Sequence, residues 1–335
     1  MGATTFALVG VGRISRKYFE AFDSIPAELA KLVAVCDIDP AALKNAPSST
    51  DTFLSLGRML DQKEFDVLIV CTPSGLHVDH SILGLSHLRH VLVEKPLALT
   101  RADAMRMIAE SEKRGRELFV AKQNRFNEAV LAAHEAFTQG HLGEIFMATV
   151  RVRWTRRQEY FDQAAWRGTW SMDGGVLANQ ASHHIDLLSW FMGPLEDAQG
   201  FQGTFGAAIE APDTAVAILK FQSGALGLIE ATTATRPNDL EGSLSLLGSK
   251  GSVVIGGFAV DRIVEWSVPS CPLPTIHEEV SGDLDAPPDV YGRGHRRVLV
   301  EVCNALAGLE NSAIVANEAS AAVAIIDRLA SQARA

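Results

Sequence analysis

Lys95 follows the apolar run Val91-Leu92-Val93 and precedes Pro96. Three apolar residues, two of them β-branched, predict a buried strand that the proline stops just after the lysine. In an open parallel sheet, ligands lie beyond the carboxyl ends of the strands. Lys95 is thereby expected in the crevice where a cofactor and a substrate meet, the alternative being a solvated charge at a strand end. Gly10-Val11-Gly12-Arg13-Ile14-Ser15 is a second such place. It is a G-x-G-x-x-S stretch between an apolar strand (5–9) and a helical pattern reaching about residue 23. The first glycine permits a tight turn, and the second lets the backbone approach a pyrophosphate at the helix N-terminus. A second strand, Leu32–Cys36, ends at Asp37, 25 residues after Gly12. An acid there can accept hydrogen bonds from the adenosine ribose hydroxyls and would repel a 2′-phosphate, which favours NAD over NADP. Capping a helix that begins near Pro40 is the other use for Asp37.

Asn179, His183 and Asp186 fall at i, i+4 and i+7. They share one face if residues 178–192 form a helix, with Asp186 orienting the helix or its end. Arg151, Arg153, Arg156, Arg157 and Arg167 concentrate positive charge on a chain of net charge −10. Guanidinium groups suit planar, bidentate contacts with phosphate and carboxylate. A solvated strand face or a subunit interface would use them equally well.

The chain is long enough for two domains, each with its own core. A hydrophobic fraction of 47% and a charged fraction of 21% are those of a globular protein. The acidic balance argues against nucleic-acid partners and against an anionic membrane surface. No apolar run reaches membrane-spanning length, and the N-terminal Phe6-Ala7-Leu8-Val9 is too short for a signal-peptide core. Cys36, Cys71, Cys271 and Cys303 show neither disulfide-framework nor metal-ligand spacing. A cytoplasmic location is expected.

The elements that must position these groups follow in order. Residues 52–61 read as a helix, 66–71 as a strand, and Thr72-Pro73-Ser74-Gly75-Leu76-His77 as a loop at its carboxyl end. A helix to about residue 88, the Lys95 strand, a helix over 100–115 and a strand over 118–121 continue the alternation. This rhythm predicts a doubly wound parallel sheet with right-handed crossovers. Past residue 140 the pattern changes. Long strands are expected over 145–154, 213–221 and 225–233, with Gln222-Ser223-Gly224 as a hairpin. Gly248-Ser249-Lys250-Gly251 joins strands at 244–247 and 253–255 in the same way. The fold class is therefore α/β: an N-terminal Rossmann domain (1–122) followed by an α+β domain (123–335) on a large, open, mostly antiparallel sheet. Helices over 295–308 and 317–333 can pack onto either domain, and 268–289 reads as an exposed loop.

The glycine fingerprint, Thr72-Pro73-Ser74, Glu94-Lys95-Pro96 and the 166–186 stretch together resemble the glucose–fructose oxidoreductase/inositol dehydrogenase (Gfo/Idh/MocA) family across essentially the whole chain. The resemblance implies a nicotinamide-binding Rossmann domain and a C-terminal domain whose open sheet forms subunit contacts in a homo-oligomer, dimer or tetramer. It also implies that Lys95 is the catalytic-site lysine. Lys122-Gln123-Asn124-Arg125-Phe126-Asn127, Arg153-Trp154-Thr155-Arg156, Gln158-Glu159-Tyr160, Trp166-Arg167-Gly168-Thr169-Trp170, Asp173-Gly174-Gly175, Asn179–His183 and Val290-Tyr291-Gly292 are similar to bacterial UDP-N-acetyl-glucosaminuronate 3-dehydrogenases. Those enzymes oxidise the sugar's C3 hydroxyl with NAD, ahead of an aminotransferase, for surface polysaccharide.

On this resemblance the cofactor is held by Gly10, Gly12, Arg13, Ile14, Asp37, Thr72, Pro73, Ser74, His77, Glu94, Lys95, Trp166 and Arg167. The substrate is met by Gln123, Asn124, Arg125, Arg153, Arg156, Arg167, Trp170, Asn179, His183 and Tyr291. Lys95 and His183 are the catalytic pair. Lys95 would hydrogen-bond the reacting hydroxyl, its neutral form favoured by the positive nicotinamide and by partial burial. Many family members carry an acid where this chain has Asn179, which cannot act as a base. Proton transfer then falls to Lys95 and His183, and Asn179 orients by hydrogen bonding. No metal is expected, since His183 and His184 are adjacent and no carboxylate–histidine ligand set appears. A dehydrogenase of a free sugar or inositol is the competing enzyme reading. A non-catalytic dinucleotide-binding regulator is the competing reading of another class, disfavoured by the presence of both Lys95 and His183.

Overall fold

The computed structural model describes residues 2–273 and 294–334. It divides into two compact units: Met1–Lys122 with His295–Val323, and Gln123–Gly294 with Ala324–Ala335.

The first unit alternates strand and helix as β1 (Thr4–Val9), α1 (Ser15–Asp23), β2 (Ala30–Cys36), β3 (Asp51–Phe53), α2 (Leu56–Gln62), β4 (Val67–Val70), α3 (His77–Ser86), β5 (His90–Val93), α4 (Arg101–Arg114) and β6 (Leu118–Val120). The sheet order is β3-β2-β1-β4-β5-β6, and its pairings are parallel. Strands buried on both faces have no polar side to alternate with, which is why β4 and β5 read as unbroken apolar runs and are solvent-free along Val67–Val70 and Val91–Val93. Strand order reverses between β1 and β4, and crevices at such switch points take ligands in open α/β sheets. α4 starts where Thr100 accepts the Asp103 amide at 3.1 Å, and it stops at left-handed Gly115. The helix expected over 52–61 is corrected. Residues 51–53 pair with β2 as the edge strand β3, and α2 begins only at Leu56. Three edge residues are too few to show alternation, so pairing with β2 decided what local pattern did not.

The second unit contains α5 (Glu128–Thr138), β7 (Ile145–Arg153), α6 (Gln158–Phe161), α7 (Gly175–Asn179), α8 (Ser182–Met192), β8 (Leu195–Gly203), β9 (Thr214–Phe221), β10 (Leu226–Thr232), β11 (Glu241–Gly248), β12 (Ser252–Gly256) and β13 (Arg262–Ser267). Its seven strands lie in the order β13-β12-β11-β7-β10-β9-β8. They pair antiparallel except β7 with β10, which run parallel. Helices α5, α7 and α8 pack on one face. In β9 the residues Ala215, Ala217 and Leu219 are buried while Val216, Ile218 and Lys220 are exposed. Phe201 and Leu226 are exposed as well. The edge strands β8 and β13 are the ones the sequence pattern misses; β8, with the polar pair Glu196-Asp197, two further glutamines and two glycines, carries no apolar alternation.

Two helices close the chain, α9 (Gly294–Leu306) and α10 (Ala316–Arg334). Within the first unit, the stretch between them borders β6: the Val120 amide donates to Ile314 at 2.8 Å, and Phe119 bridges Val315. In the second unit, Gln332 donates to the Ala198 carbonyl and Gln202 to that of Leu329, each at 2.8 Å. Most of the loop expected over 268–289, and Tyr291, lie outside the described residues.

Candidate active site

In the first unit the glycine loop leaves β1 with Gly10 at φ +96°, a conformation that only glycine adopts without strain. A Cβ on Gly10 would also meet the Cys71 carbonyl carbon at 2.7 Å. Around Gly12 the space is open, with nothing within 4 Å of an added Cβ. Ser15 turns its hydroxyl back to the Gly12 carbonyl at 2.7 Å. The first amides of α1 have no intrahelical acceptors, and with the helix dipole they favour an anion. Asp37 does two things at the end of β2. Its Oδ2 accepts the Val11 amide at 2.7 Å, and its Oδ1 accepts the Asp39 amide at 2.9 Å. A dinucleotide fits this cradle: open backbone at Gly12, a helix start for the pyrophosphate, and a half-exposed acid for a ribose.

Lys95 is half-buried directly past β5, and the Lys95–Pro96 peptide is cis. His77, 1% exposed, spans two loops, its Nδ1 at 2.7 Å from the Pro96 carbonyl and its Nε2 at 3.0 Å from that of Thr72. Burial holds its pKa below the ordinary value against the pull of those carbonyls. His77 was expected at the cofactor. With both ring nitrogens turned onto backbone it acts instead as a brace for Thr72 and Pro96. Thr72, Pro73 and Ser74 are half-buried on the loop it holds. Glu94 is also buried rather than presented to a ligand: its Oε1 accepts the Tyr18 hydroxyl at 2.7 Å and its Oε2 the Lys95 amide at 3.2 Å.

In the second unit, the helix expected over 178–192 breaks between α7 and α8, so Asn179 and His183 do not share one helix. Gly174 and Gly175, both at positive φ, start α7; a Cβ on Gly175 would lie 2.8 Å from the Pro212 carbonyl oxygen, while the Val176 amide donates to that same oxygen. The break lies at Gln180 and Ala181, whose amides both return to the Val176 carbonyl. Asn179 instead donates to Asp173, a buried carboxylate that also accepts the Gly168 amide at 2.5 Å. His183 Nε2 lies 3.1 Å from the Gln123 amide nitrogen. Asp186, expected to orient the helix or its end, binds Arg125 in a buried bidentate pair, Nε to Oδ2 at 2.7 Å and Nη2 to Oδ1 at 2.9 Å. Arg125 lies over the Trp190 ring at 4.7 Å. Gln123, Asn124 and Arg125 form a short 3₁₀ turn and are all buried. Arg125 was expected at the substrate; its fork is occupied by Asp186, and it anchors the turn that carries Gln123 to His183.

Comparison with known proteins bears on both units. Residues 4–122 match the family model described as an oxidoreductase family with an NAD-binding Rossmann fold, and 130–254 match the GFO/IDH/MocA C-terminal domain. A crystal structure of the WlbA dehydrogenase from Bordetella pertussis, in complex with NADH and UDP-GlcNAcA, is 40% identical with a TM-score of 0.89. That likeness covers 100% of this chain and 96% of the other. The chain belongs to the Gfo/Idh/MocA family of oxidoreductases. The WlbA structure from Chromobacterium violaceum, also with NADH and UDP-GlcNAcA, is 39% identical with a TM-score of 0.89, over 99% of this chain and 95% of that one. Among curated relatives, a 1-carboxy-3-chloro-3,4-dihydroxycyclohexa-1,5-diene dehydrogenase from Comamonas testosteroni is 28% identical over 65% of this chain. This chain spans 55% of that relative's length.

The arginines of this Gfo/Idh/MocA chain are not equivalent. Arg153, expected at the substrate, is clasped by carboxylates on the flanking strands: Glu230 at 2.6 and 2.7 Å, Glu241 at 3.0 Å. The Glu230 hydrogen bonds raise its already high pKa, and Arg151 leans on the same two acids. Both belong to a charged network on the sheet. Arg156 is 3.3 Å from Asp239 and lies over Trp154 and Tyr160. Arg167 differs. It is half-buried between the rings of Tyr160 (4.2 Å) and Trp166 (4.9 Å), and no ion pair to it occurs among the described residues. Trp170 is covered by Arg334 at 4.6 Å, and Arg13 is exposed and Ile14 half-buried at the start of α1. The buried groups that sequence reasoning did not assign to the site are Tyr18, Asp173 and His295. Asp173 had a signal, its place before two glycines; Tyr18 and His295 had none, because their partner Glu94 is remote in sequence.

Proposed function

We propose that the protein oxidises the C3 hydroxyl of UDP-N-acetyl-glucosaminuronate, or a close UDP-sugar, to the 3-keto sugar with NAD, in making surface polysaccharide. What carries this reading is the 40% identity over the entire chain to a dehydrogenase crystallised with NADH and UDP-GlcNAcA. On this reading residues 1–122, joined in one compact unit by His295–Val323, form the cofactor domain, and the rest of 123–335 the substrate and oligomerisation domain. Gly10, Gly12, Arg13 and Ile14 receive the pyrophosphate, Asp37 the adenosine ribose, and Thr72, Pro73 and Ser74 the nicotinamide side, with Trp166 and Arg167 near both ligands.

The glycine loop and Asp37 would hold NAD, whose oxidised nicotinamide would supply the acceptor for the hydride of the sugar carbon. Lys95 hydrogen-bonds the reacting hydroxyl and takes its proton at Nζ. His183, steadied by Gln123, serves as the second proton-handling group. Asn179, fixed by Asp173, orients the sugar, since an amide cannot be its base. Arg167, sandwiched between two rings, meets the anionic part of the substrate, with Arg156 beside the shared Tyr160 ring. Trp170 lines the sugar side. The exposed apolar residues of the open sheet, Phe201, Val216, Ile218 and Leu226, form a homo-oligomer contact of a dimer or tetramer, because contiguous apolar surface of this kind marks an interface. Both ligands are soluble nucleotides, which assigns the reaction to the cytoplasm.

Calorimetry with NAD present tests the reading against UDP, UDP-N-acetylglucosamine, UDP-N-acetylglucosaminuronate and myo-inositol. The uronate should bind tightest, well ahead of its uncharged parent. Binding of inositol or a free sugar, with no uridine ligand bound, would replace the nucleotide-sugar reading with that of a free-polyol dehydrogenase.

A further inference from the structure

Glu94 sits in an unusual environment for a carboxylate. It is 4% exposed and is approached by side chains from several elements of the first unit. Tyr18, on α1, donates to Oε1 at 2.7 Å. His295, on α9, places Nε2 at 3.3 Å from the same oxygen and its ring edge-on to Tyr18, 5.1 Å between centroids. The Lys95 amide donates to Oε2. Cys71, at the end of β4, and His77, at the start of α3, are the further titratable groups that interact with this carboxylate. Residues from four other places in the chain thus gather around the acid that immediately precedes the lysine.

We propose that Tyr18 and His295 are positioning residues for Lys95: they fix the Glu94 carboxylate so that it tethers the Lys95 backbone and sets a constant negative charge beside the lysine. The inference rests on the reading of Lys95 as the proton acceptor, and it adds a reason for the buried acid that the reaction itself does not use.

The surroundings keep that charge in place. Burial works to raise the Glu94 pKa, but His295, the Tyr18 hydroxyl and the positive charge of Lys95 outweigh it and hold the carboxyl below its usual range. Burial and the Glu94 charge push the Tyr18 phenol well up, so it stays a donor, and the same two causes push the Cys71 thiol up. Burial holds His77 down. Of these neighbours, the tyrosine, the thiol and His77 remain neutral near pH 7, so the carboxylate's field falls on Lys95 and His295. A charge fixed in a low-dielectric site acts strongly on a neighbour and needs no reorganisation during reaction. Its effect on Lys95 is to favour the ammonium form, so this carboxylate, opposing the nicotinamide's charge, sets the pH at which Lys95 becomes a base.

The test uses the full-length protein and the variants Tyr18→Phe, Glu94→Gln, His295→Gln and His295→Leu, with Lys95→Ala as the control on the underlying reading. In cofactor-free protein, the pH dependence of Lys95 labelling by an amine-reactive reagent, followed by peptide mass, reports its ionisation without any turnover. Glu94→Gln should lower the labelling midpoint by about one pH unit. Tyr18→Phe, which removes one oxygen atom, should lower kcat about tenfold while leaving KM and NAD affinity within about twofold. His295→Gln, which keeps an N–H donor, should retain more activity than His295→Leu. An unchanged labelling midpoint in both Glu94→Gln and Tyr18→Phe would overturn the proposal, whatever the activities. Persistent turnover in Lys95→Ala would sink the catalytic reading of Lys95 instead, and a shifted midpoint would still establish the tether.

Discussion

Asp37 Oδ2 accepts the Val11 amide at 2.7 Å, so the acid that ends β2 also pins the glycine loop that follows β1. Its other oxygen closes its own turn onto Asp39. Of the two uses left open by the sequence, the helix cap is not found: the 3₁₀ turn Ala42–Asn45 starts after Ala41 with no side-chain cap, and Asp37 closes a local turn onto Asp39 while facing the cradle. Each carboxylate oxygen retains a lone pair for a ribose hydroxyl.

Asp37→Ala should consequently weaken NAD by more than a lost ribose contact, about tenfold to a hundredfold, because the loop is released as well. Asp37→Asn keeps an acceptor but not the charge, and should relax discrimination against NADP while costing less NAD affinity. Fluorescence titration of both cofactors gives the two dissociation constants. An unchanged NAD-to-NADP preference in both variants would reduce Asp37 to a brace of the glycine loop.

Lys95→Ala should lower kcat by about 10²- to 10⁴-fold, the usual worth of a positioned acid–base group. NAD affinity should stay within about twofold. Single-turnover kinetics beside NAD titration separates the effects, and loss of NAD binding by folded protein would move Lys95 into a cofactor-holding role.

The Arg125–Asp186 pair is buried on both sides, 4% and 2% exposed by side chain. Removing one partner leaves an uncompensated charge inside the protein. Asp186→Asn should therefore cost about 3–5 kcal/mol in urea unfolding. A change below about 1 kcal/mol would show that solvent reaches the guanidinium.

His184 is fully buried, packs edge-on to Trp154, and has a pKa pushed down to about 4 by desolvation. The unfolded chain takes up a proton near pH 6.5, which the folded protein refuses until about 4. The stability associated with neutral His184 is thus complete above the unfolded value and is lost as pH falls from about 6.5 towards 4. At pH 5 the loss is about 2 kcal/mol relative to pH 7. His184→Leu should flatten that part of the stability profile in urea titrations, and an equally steep profile in the variant would assign the acid sensitivity elsewhere.

The parallel sheet was legible because β4, β5 and β6 are short, buried apolar runs with turn signals between them, and because Gly10 answers to a local backbone need. Lys95 was legible for the same reason: it stands where an apolar strand meets a proline. The i, i+4, i+7 register of Asn179, His183 and Asp186 misled, since the helix is interrupted at Gln180 and Ala181, whose amides share the Val176 carbonyl, and periodicity alone does not show such a break. The arginines were legible as a group but not individually. Whether Arg153 meets a ligand or Glu230 depends on cross-strand register, which places Glu230 opposite Arg151 and Glu241 opposite Arg153.

The first unit is discontinuous in sequence, its β-sheet lying within the first 122 residues and α9 returning near the chain's end. During synthesis the ribosome emits the glycine loop, Asp37 and Lys95 long before His295 and the Ile314 carbonyl that Val120 bonds. Domains commonly fold as units in the order they are made, but here the first begun waits for residues 295–323, made after most of the second. A nascent chain stopped anywhere before residue 294 holds the cofactor fingerprint without the helix that reaches Glu94, so premature termination yields a protein without the finished lysine environment rather than a working half.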